Sequence, residues 1–600
     1  MQMPMPEASP ESTPESIPAP PAWQARLRRL FGLSDDHTML LWAVAVGVLG
    51  ALSTVGFRDC IAAIQALLSG HSGSFVNMAN SFSWPLRILV PTCGGIAAGA
   101  LLVWANRLHA PAGNADYMEA VSIGDGGIPV RQTLLRSASS LLTIGSGGSI
   151  GREGSMVQLA ALWASVLGRV AYFPAVRLRL LVACGAAAGI SAAYNAPIAG
   201  AFFVSEIVLG SIVMKNFGPV VVAAVVANIA MRALPGYSTV YVMPAFPEIG
   251  ALEIPLFVWL GLLAGVLAPL FLHLLKFSRH QFGKTALPLP LRLGLGALLM
   301  GLISVQSPEV WGNGYSVVNS LLHTDWIWWS VLSILLFKVV ATALIAGSGA
   351  VGGIFTPTLF VGAALGILFG QAAHLLWPVA TSAPFAYAMV GMGAFLAAAT
   401  SAPLMAMLMI FEMTLSHQTL LPLMLSCVVA YFTAMSLSIG GVSMYDITLR
   451  RLREEQARLA LRGSHMSDLI KPAETVLPID ASFAEMTTMF LQYPVKYIYI
   501  VDANNHYCGA VALQDVTSSL LDKRVLELDG SNKTAVDYLR SDFLHVVTAD
   551  MSLGEGLQRF LDHQGERLPA IQSTAQPVLL GAVYKSSLLE AYFRLDKGAQ

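Results

Sequence analysis

Residues 145–154, GSGGSIGREG, set an arginine and a glutamate side by side, fenced by glycines, between two apolar runs. A charge at the centre of a bilayer costs at least ~2.5–3.5 kcal/mol, so Arg152 and Glu153 read as site residues if the stretch lies in a membrane. Glycine lets backbone N–H groups approach a ligand closely, and a helix opening on such a loop adds unpaired donors and a partial positive charge. A second stretch, GSGAVGGIFTP at 347–357, opens another apolar run in the same way. Two such helix N-termini converging in a membrane would bind an anion without a buried cation. Each end contributes roughly 0.3–2 kcal/mol, weak enough to let the anion leave again. The first stretch also fits GxSxG over Gly147–Gly151, so an intramembrane serine protease with Ser149 as nucleophile and a histidine such as His374 is the rival chemistry. No histidine lies in a paired motif, and that reading leaves the second glycine stretch unexplained. GxGxxG fails at Ile150, and FGKT at 282–285 lacks the first glycine of a P-loop, where Ser278 stands.

The elements that must carry these residues are membrane helices. The 600 residues are 55% hydrophobic and 12% charged, with a mean hydropathy of +0.63, which predicts a polytopic membrane protein rather than a soluble one. A net charge of -1, with no basic surface beyond short arginine clusters, argues against nucleic acid as a partner. Cys60, Cys93, Cys184, Cys427 and Cys508 show no CxxC spacing, so neither a disulfide framework nor a zinc site is expected. Residues 1–36 are rich in Pro, Ser and Glu and lack an apolar core, which predicts a disordered tail and not a cleaved signal peptide. Arg26, Arg28 and Arg29 before the first apolar run, and RRLREEQARLALR at 450–462 after the last, place both termini on the cytoplasmic side.

Between these ends, apolar runs recur from Thr38 to Ile439, and several, such as Leu180–Ile190, Leu293–Val305 and Leu404–Met413, are too short for a ~20-residue crossing. Short runs interrupted by Gly and Pro predict broken helices whose ends meet inside the membrane around a cavity. The chain also repeats. Gly145-Ser146-Gly147 recurs as Gly347-Ser348-Gly349, 202 residues on, and Ala196-Pro197 recurs as Ala402-Pro403, 206 residues on. In each half a lone acid, Glu206 or Glu412, follows that proline by nine residues. Two related halves are expected, at about 37–235 and 250–450, with the substrate at their interface near the midplane. After a linker at 451–465 the composition turns soluble. Two similar units, 466–525 and 533–597, each read strand, amphipathic helix, strand, strand, helix. They resemble a tandem CBS pair.

The glycine stretches resemble those of the ClC family of chloride channels and chloride/proton exchangers. Motifs agree in order: GREG at 151–154, GAAAGISAAYNAPIAGAFF at 185–203, GNGY at 312–315, GGIFTP at 352–357, GMGAFLAAATSAPL at 391–404 and SMYDITL at 443–449. DYMEA at 116–120 and SGAVGGIFTPTLF look most like the bacterial ClcB type. The resemblance implies an all-α fold of two inverted repeats over about 37–450, a homodimer with one pore per subunit in the bacterial inner membrane, and chloride as the transported ligand with no required cofactor. It implies that Glu153 is the gating carboxylate and that Gly151 to Gly154 line the outer anion site. It further implies that the amides of Ile354 and Phe355 hold the central anion and that Tyr445 donates its hydroxyl from the inner side. Arg152 becomes a lure at the outer vestibule or a structural ion-pair partner.

Three departures matter. The family's GSGIP, whose serine faces the anion, looks like DGGIP at 125–129, but alignment on DYMEA places it at 111–115, where the serine is absent. Exchangers carry two consecutive acids after the NAPLAG segment, the second being the internal proton acceptor. Here the pair reads Glu206-Ile207, so the acceptor is missing, and a detour through Glu206 is the minority path. In the CBS pair Asp515 stands where a ribose ligand often does, but Ala512 and Ser587 break the pattern, so a dimerising scaffold is favoured over an adenine-nucleotide sensor. The expectation is a passive, gated chloride channel acting as an electrical shunt and not an enzyme. The alternative is a chloride/proton antiporter of the same family.

Overall fold

The computed structural model describes residues 35–70, 73–107, 116–122, 124–210, 214–234, 241–242, 244–245, 247, 249–378, 381–437, 444, 466–521, 533–540, 546–561, 563 and 565–598. The chain forms two compact units, Met1–Thr448 and Leu449–Gln600.

The first unit is helical. Its first half holds α1 (Asp35–Ser69), α2 (Phe75–Ser81), α3 (Trp84–Arg107), α4 (Tyr117–Ser122), α5 (Val130–Gly145), α6 (Glu153–Val170), α7 (Ala175–Tyr194), α8 (Pro197–Phe203) and α9 (Met214–Ala233). The second holds α10 (Ile254–Lys284), α11 (Leu289–Gln306), α12 (Tyr315–His323), α13 (Trp328–Ser348), α14 (Phe355–Leu376), α15 (Pro384–Thr400), α16 (Pro403–Thr414) and α17 (Leu420–Leu437). Among the described residues nine helices are long and apolar enough to cross a membrane. Two runs that read as too short lie inside full-length helices: Leu180–Ile190 in α7 and Leu293–Val305 in α11, of 20 and 18 residues. Their ends are built from arginine, glycine and small polar residues, which hydropathy undercounts. Among the described residues the shorter apolar helices are α15, α16 and α8 together with the π-helical turn it runs into, Val204–Val208.

Small residues let these helices approach closely. Every residue of α7 from Leu181 to Tyr194 is buried, and a Cβ at Gly185 would meet the Ala160 carbonyl at 2.7 Å. The repeat is visible in the breaks. Asn195 and Ser401, which end α7 and α15, both take left-handed backbone at φ 58°, and Gly147 and Gly349 both stand at φ +98°. At Gly147 a side chain is excluded twice, because a Cβ would also lie 2.3 Å from the Trp311 ring.

The second unit holds two sheets. Strands β1 (Val476–Pro478), β2 (Tyr497–Val501), β3 (Tyr507–Ala512) and β4 (Leu539–Arg540) form one in that order, with β1 parallel to β2 and the other pairs antiparallel. Strands β5 (Val547–Thr548), β6 (Arg567–Ile571) and β7 (Leu579–Tyr584) form the other, β5 parallel to β6 and β6 antiparallel to β7. Helices α18 (Phe483–Gln492) and α19 (Leu513–Leu521) accompany the first sheet, α20 (Leu553–Leu561) and α21 (Lys585–Gly598) the second. This is the doubled strand–helix–strand–strand–helix order expected of a CBS pair. The leading segments cross over: Met466 and Lys471 bond to Met551 and Ala582 in the second module, while Ala535 bonds to Ala481 and β4 pairs with β3 in the first.

Candidate functional site: an anion path between two glycine loops

Glu153 begins α6 and Phe355 begins α14, so the two glycine stretches open the two helices that correspond in the repeat. The loops meet in a short antiparallel bridge. Gly151 N donates to the Gly353 carbonyl at 2.7 Å, and Gly353 N donates to the Gly151 carbonyl at 2.8 Å. The bridged residues are 202 apart, the repeat offset read from the sequence. Helical N-termini leave their first amides without intrahelical acceptors, so α6 and α14 aim donors and partial positive charge into one place.

The Glu153 side chain, 2% exposed, fills that place. Its Oε1 accepts a 2.5 Å hydrogen bond from the Tyr315 hydroxyl at the start of α12. Its Oε2 is buried and has no hydrogen-bond partner among the described residues, packed so closely on Gly151 that a Cβ there would lie 2.3 Å away. The Tyr315 hydroxyl also lies 3.1 Å from Thr356 Oγ1, which in turn lies 3.1 Å from the Tyr194 hydroxyl. The guanidinium of Arg152 stands 5.1 Å over the Tyr315 ring. Tyr241 packs edge-on against that ring at 4.9 Å.

A cavity of about 630 Å³ runs up to Glu153, Gly154, Ile354 and Phe355. Its wall also carries Arg136, Lys276 and Arg279, with Asp116 as an acid among them, a balance that favours anions. Met444 lines the same cavity and bonds through its amide to the Ala399 carbonyl. Its neighbour Tyr445 lies outside the described residues, as does the 111–115 segment aligned with GSGIP. DGGIP at 125–129 is a packed turn: Gly126, at φ +85°, lies against Leu178 and Arg179, and Ser165 Oγ binds both the Gly126 carbonyl and the Ile128 amide.

Glu206 and Glu412 are reciprocal helix caps. Glu206 accepts from the amides of Leu404 and Met405 at 3.2 and 2.8 Å, at the start of α16. Glu412 accepts from Ile198 and Ala199 at 2.9 and 2.8 Å, at the start of α8. Ile207 is 5% exposed within the π-turn. Ser149 is fully buried and pairs with Thr342 Oγ1 at 3.1 Å, whereas His374, near the far end of α14, bonds Thr381. The two are not brought together, so the geometry of a hydrolase is absent from this pair.

In the second unit Asp515 receives both arms of Arg540, Nε–Oδ2 and Nη2–Oδ1 at 2.6 Å each, and this bond raises the Arg540 pKa above its ordinary value. Arg567, 8% exposed, donates to Thr475 and to the Tyr497 carbonyl and stacks 5.1 Å from the Tyr499 ring. Among the described residues there is no cluster of three or more His, Cys, Asp and Glu arranged to hold a metal.

Sequence reasoning passed over Tyr315, Thr356, Tyr194 and Lys338. Tyr315 closes the GNGY motif, and Lys338 is a lone charge in the apolar α13, so both carried a signal. Lys338 is fully buried and its Nζ donates to the Val310 and Gly312 carbonyls at 2.8 and 2.7 Å, fixing the loop that leads to Tyr315.

The profile of voltage gated chloride channels matches residues 93–435. A ClcB-like chloride channel protein of Ralstonia nicotianae is 52% identical over 425 residues, covering 70% of this chain and 99% of that relative. Among solved structures, a slow cyanobacterial Cl−/H+ antiporter is 25% identical, with a TM-score of 0.62, over 70% of this chain and 98% of its own. A eukaryotic CLC transporter, 18% identical with a TM-score of 0.55, shares the fold over 92% of this chain and 97% of its own. With its paired glycine loops, its repeat and these relatives, the chain belongs to the ClC family of voltage gated chloride channels and transporters.

Proposed function

We propose that the protein is a passive, gated chloride channel that shunts charge across the bacterial inner membrane, working as a homodimer with one pore in each subunit and both termini in the cytoplasm. Ile207 carries this reading: it is a buried aliphatic side chain at the position where, by resemblance, exchangers hold their internal proton acceptor. A side chain that cannot titrate cannot relay a proton. Glu206, the neighbouring acid, has both oxygens engaged on α16 amides. The second reading is a chloride/proton antiporter. In its favour, Glu153 is retained at the end of the cavity, and the solved relative named above is described as a Cl−/H+ antiporter.

In this reading the Glu153 carboxylate stands in for the anion at the α6 N-terminus and leaves when displaced or protonated. Gly151, Gly154, Ile354 and Phe355 frame the path, and Tyr445 is assigned the inner end by resemblance. The C-terminal unit serves as a scaffold: Asp515 is engaged by Arg540 in place of a ribose. Efflux of chloride from liposomes tests the gate. Glu153→Ala and Glu153→Gln should raise flux and flatten its pH dependence, and loss of flux in folded protein would count against the role.

A further inference from the structure

A row of hydroxyls stands behind the Glu153 carboxylate. With Glu153 ionised, its oxygens only accept, so Tyr315 must donate to Oε1. A hydroxyl has one proton, so the 3.1 Å contact to Thr356 is then a bond that Thr356 donates and Tyr315 accepts. By the same rule Tyr194 donates to Thr356. All three O–H dipoles therefore point toward Glu153, and each strengthens the next. Arg152 over the face of the Tyr315 ring favours the same polarity, since a cation draws electron density from the phenol. The loop before Tyr315 is tied down by the buried Lys338 side chain, whose Nζ donates to two of its carbonyls. The donor is thus held in place independently of the carboxylate it serves.

We propose that the Tyr315 hydroxyl is an anion ligand shared in alternation: it holds the Glu153 carboxylate in the closed state and donates to the transported anion once the carboxylate leaves. This rests on the anion-pore reading above and extends it to a side-chain donor in the outer site, where the backbone amides would otherwise act alone. Departure of the carboxylate leaves a buried, polarised O–H aimed at the space just vacated, and a small anion entering there from the α6 N-terminus meets it. A phenolic donor also confers selectivity. It favours chloride, a good hydrogen-bond acceptor, over larger and weakly accepting iodide.

The test uses full-length protein and chloride titrated by calorimetry in the Glu153→Ala background, where the gate is removed. Tyr315→Phe keeps the ring that Arg152 and Tyr241 pack against and removes only the donor. It should weaken chloride binding about tenfold, equivalent to ~1.4 kcal/mol, and weaken iodide binding less. With Glu153 present, Tyr315→Phe should instead raise chloride efflux, because the closed carboxylate has lost its partner. Thr356→Val, which leaves Tyr315 untouched but removes the donor behind it, should give a smaller loss of affinity and serves if Tyr315→Phe does not fold. Chloride affinity unchanged in a folded variant that still conducts would overturn the proposal and leave the channel reading intact. Unmodified protein that moves no anion at all would overturn both.

Discussion

At the scale of single residues, Gly151 is required by what lies beside it and not by its own backbone angles. A methyl group there would stand 2.3 Å from Glu153 Oε2 and 2.8 Å from the Gly353 carbonyl. One of the two must give way, and the carboxylate, held by a single hydrogen bond, is easier to move than a bridge held by two. Gly151→Ala should therefore expel Glu153 and raise pH-independent chloride efflux, with a melting temperature that falls by a few degrees at most. Efflux that stays gated as in the unmodified protein would show that the bridge yields instead. The sequence marked Gly151, Arg152 and Glu153 because charges between apolar runs are rare enough to notice. It did not mark Tyr315 as the partner of Glu153, because a tyrosine in an apolar chain is ordinarily a core or interfacial residue and 162 positions separate the pair. Lys338 was just as noticeable as a charge, but its partners are two backbone carbonyls, and carbonyls leave no mark on a sequence.

At the scale of elements, the nine-residue spacing from proline to acid in each half turns out to be one device used twice. Pro197 and Pro403 start α8 and α16, where the missing N–H costs nothing, and the next two amides of each helix receive a carboxylate from the other half. The repeat was legible as spacing, whereas the exchange of caps was not, since nothing local says which helix an acid nine residues downstream will reach. An acid at a helix N-terminus gains both hydrogen bonds and the favourable end of the helix dipole. Glu206→Ala or Glu412→Ala leaves two amides without acceptors; the one in a buried residue, Met405 or Ala199, costs about 1–3 kcal/mol when left unmade, and the one in the exposed Leu404 or Ile198 less. Thermal unfolding in detergent should show both variants destabilised to a similar degree, with the halves loosened at the α8–α16 contact. Glu206→Gln keeps one acceptor oxygen and should lose less, while leaving chloride efflux near its starting level. A large change in the proton dependence of transport in Glu206→Gln, with stability unaffected, would make Glu206 a proton carrier and not a cap.

At the scale of the whole molecule, the two halves are not chemically equal, and the proposed channel mechanism rests on that inequality. The offset of 202 places Glu153 opposite Phe355, so one half supplies an ionisable gate and the other an apolar wall. The position next to Glu206 is the buried Ile207, and the cavity that Glu153 lines also carries Arg136, Lys276 and Arg279 against one other acid, Asp116, a balance suited to gather anions. A proton leaving Glu153 through its hydrogen-bond partner meets the hydroxyls of Tyr315, Thr356 and Tyr194, whose dipoles all point back toward an ionised carboxylate. Passing a proton along that row would require each to reverse, and no carboxylate stands at position 207 to drive the reversal. Anion flow should therefore leave the proton gradient untouched. Protein reconstituted in liposomes under a chloride gradient should release chloride only when a potassium ionophore dissipates the voltage, with no uphill proton movement. A chloride gradient that drives protons uphill at a fixed ratio would establish the exchanger and make the hydroxyl row, or water in the cavity, its path. Ile207→Glu separates the two outcomes further. In a passive pore it should add no coupling by itself, because coupling also needs Glu153 and the anion to alternate in one site rather than leave the path open between turns.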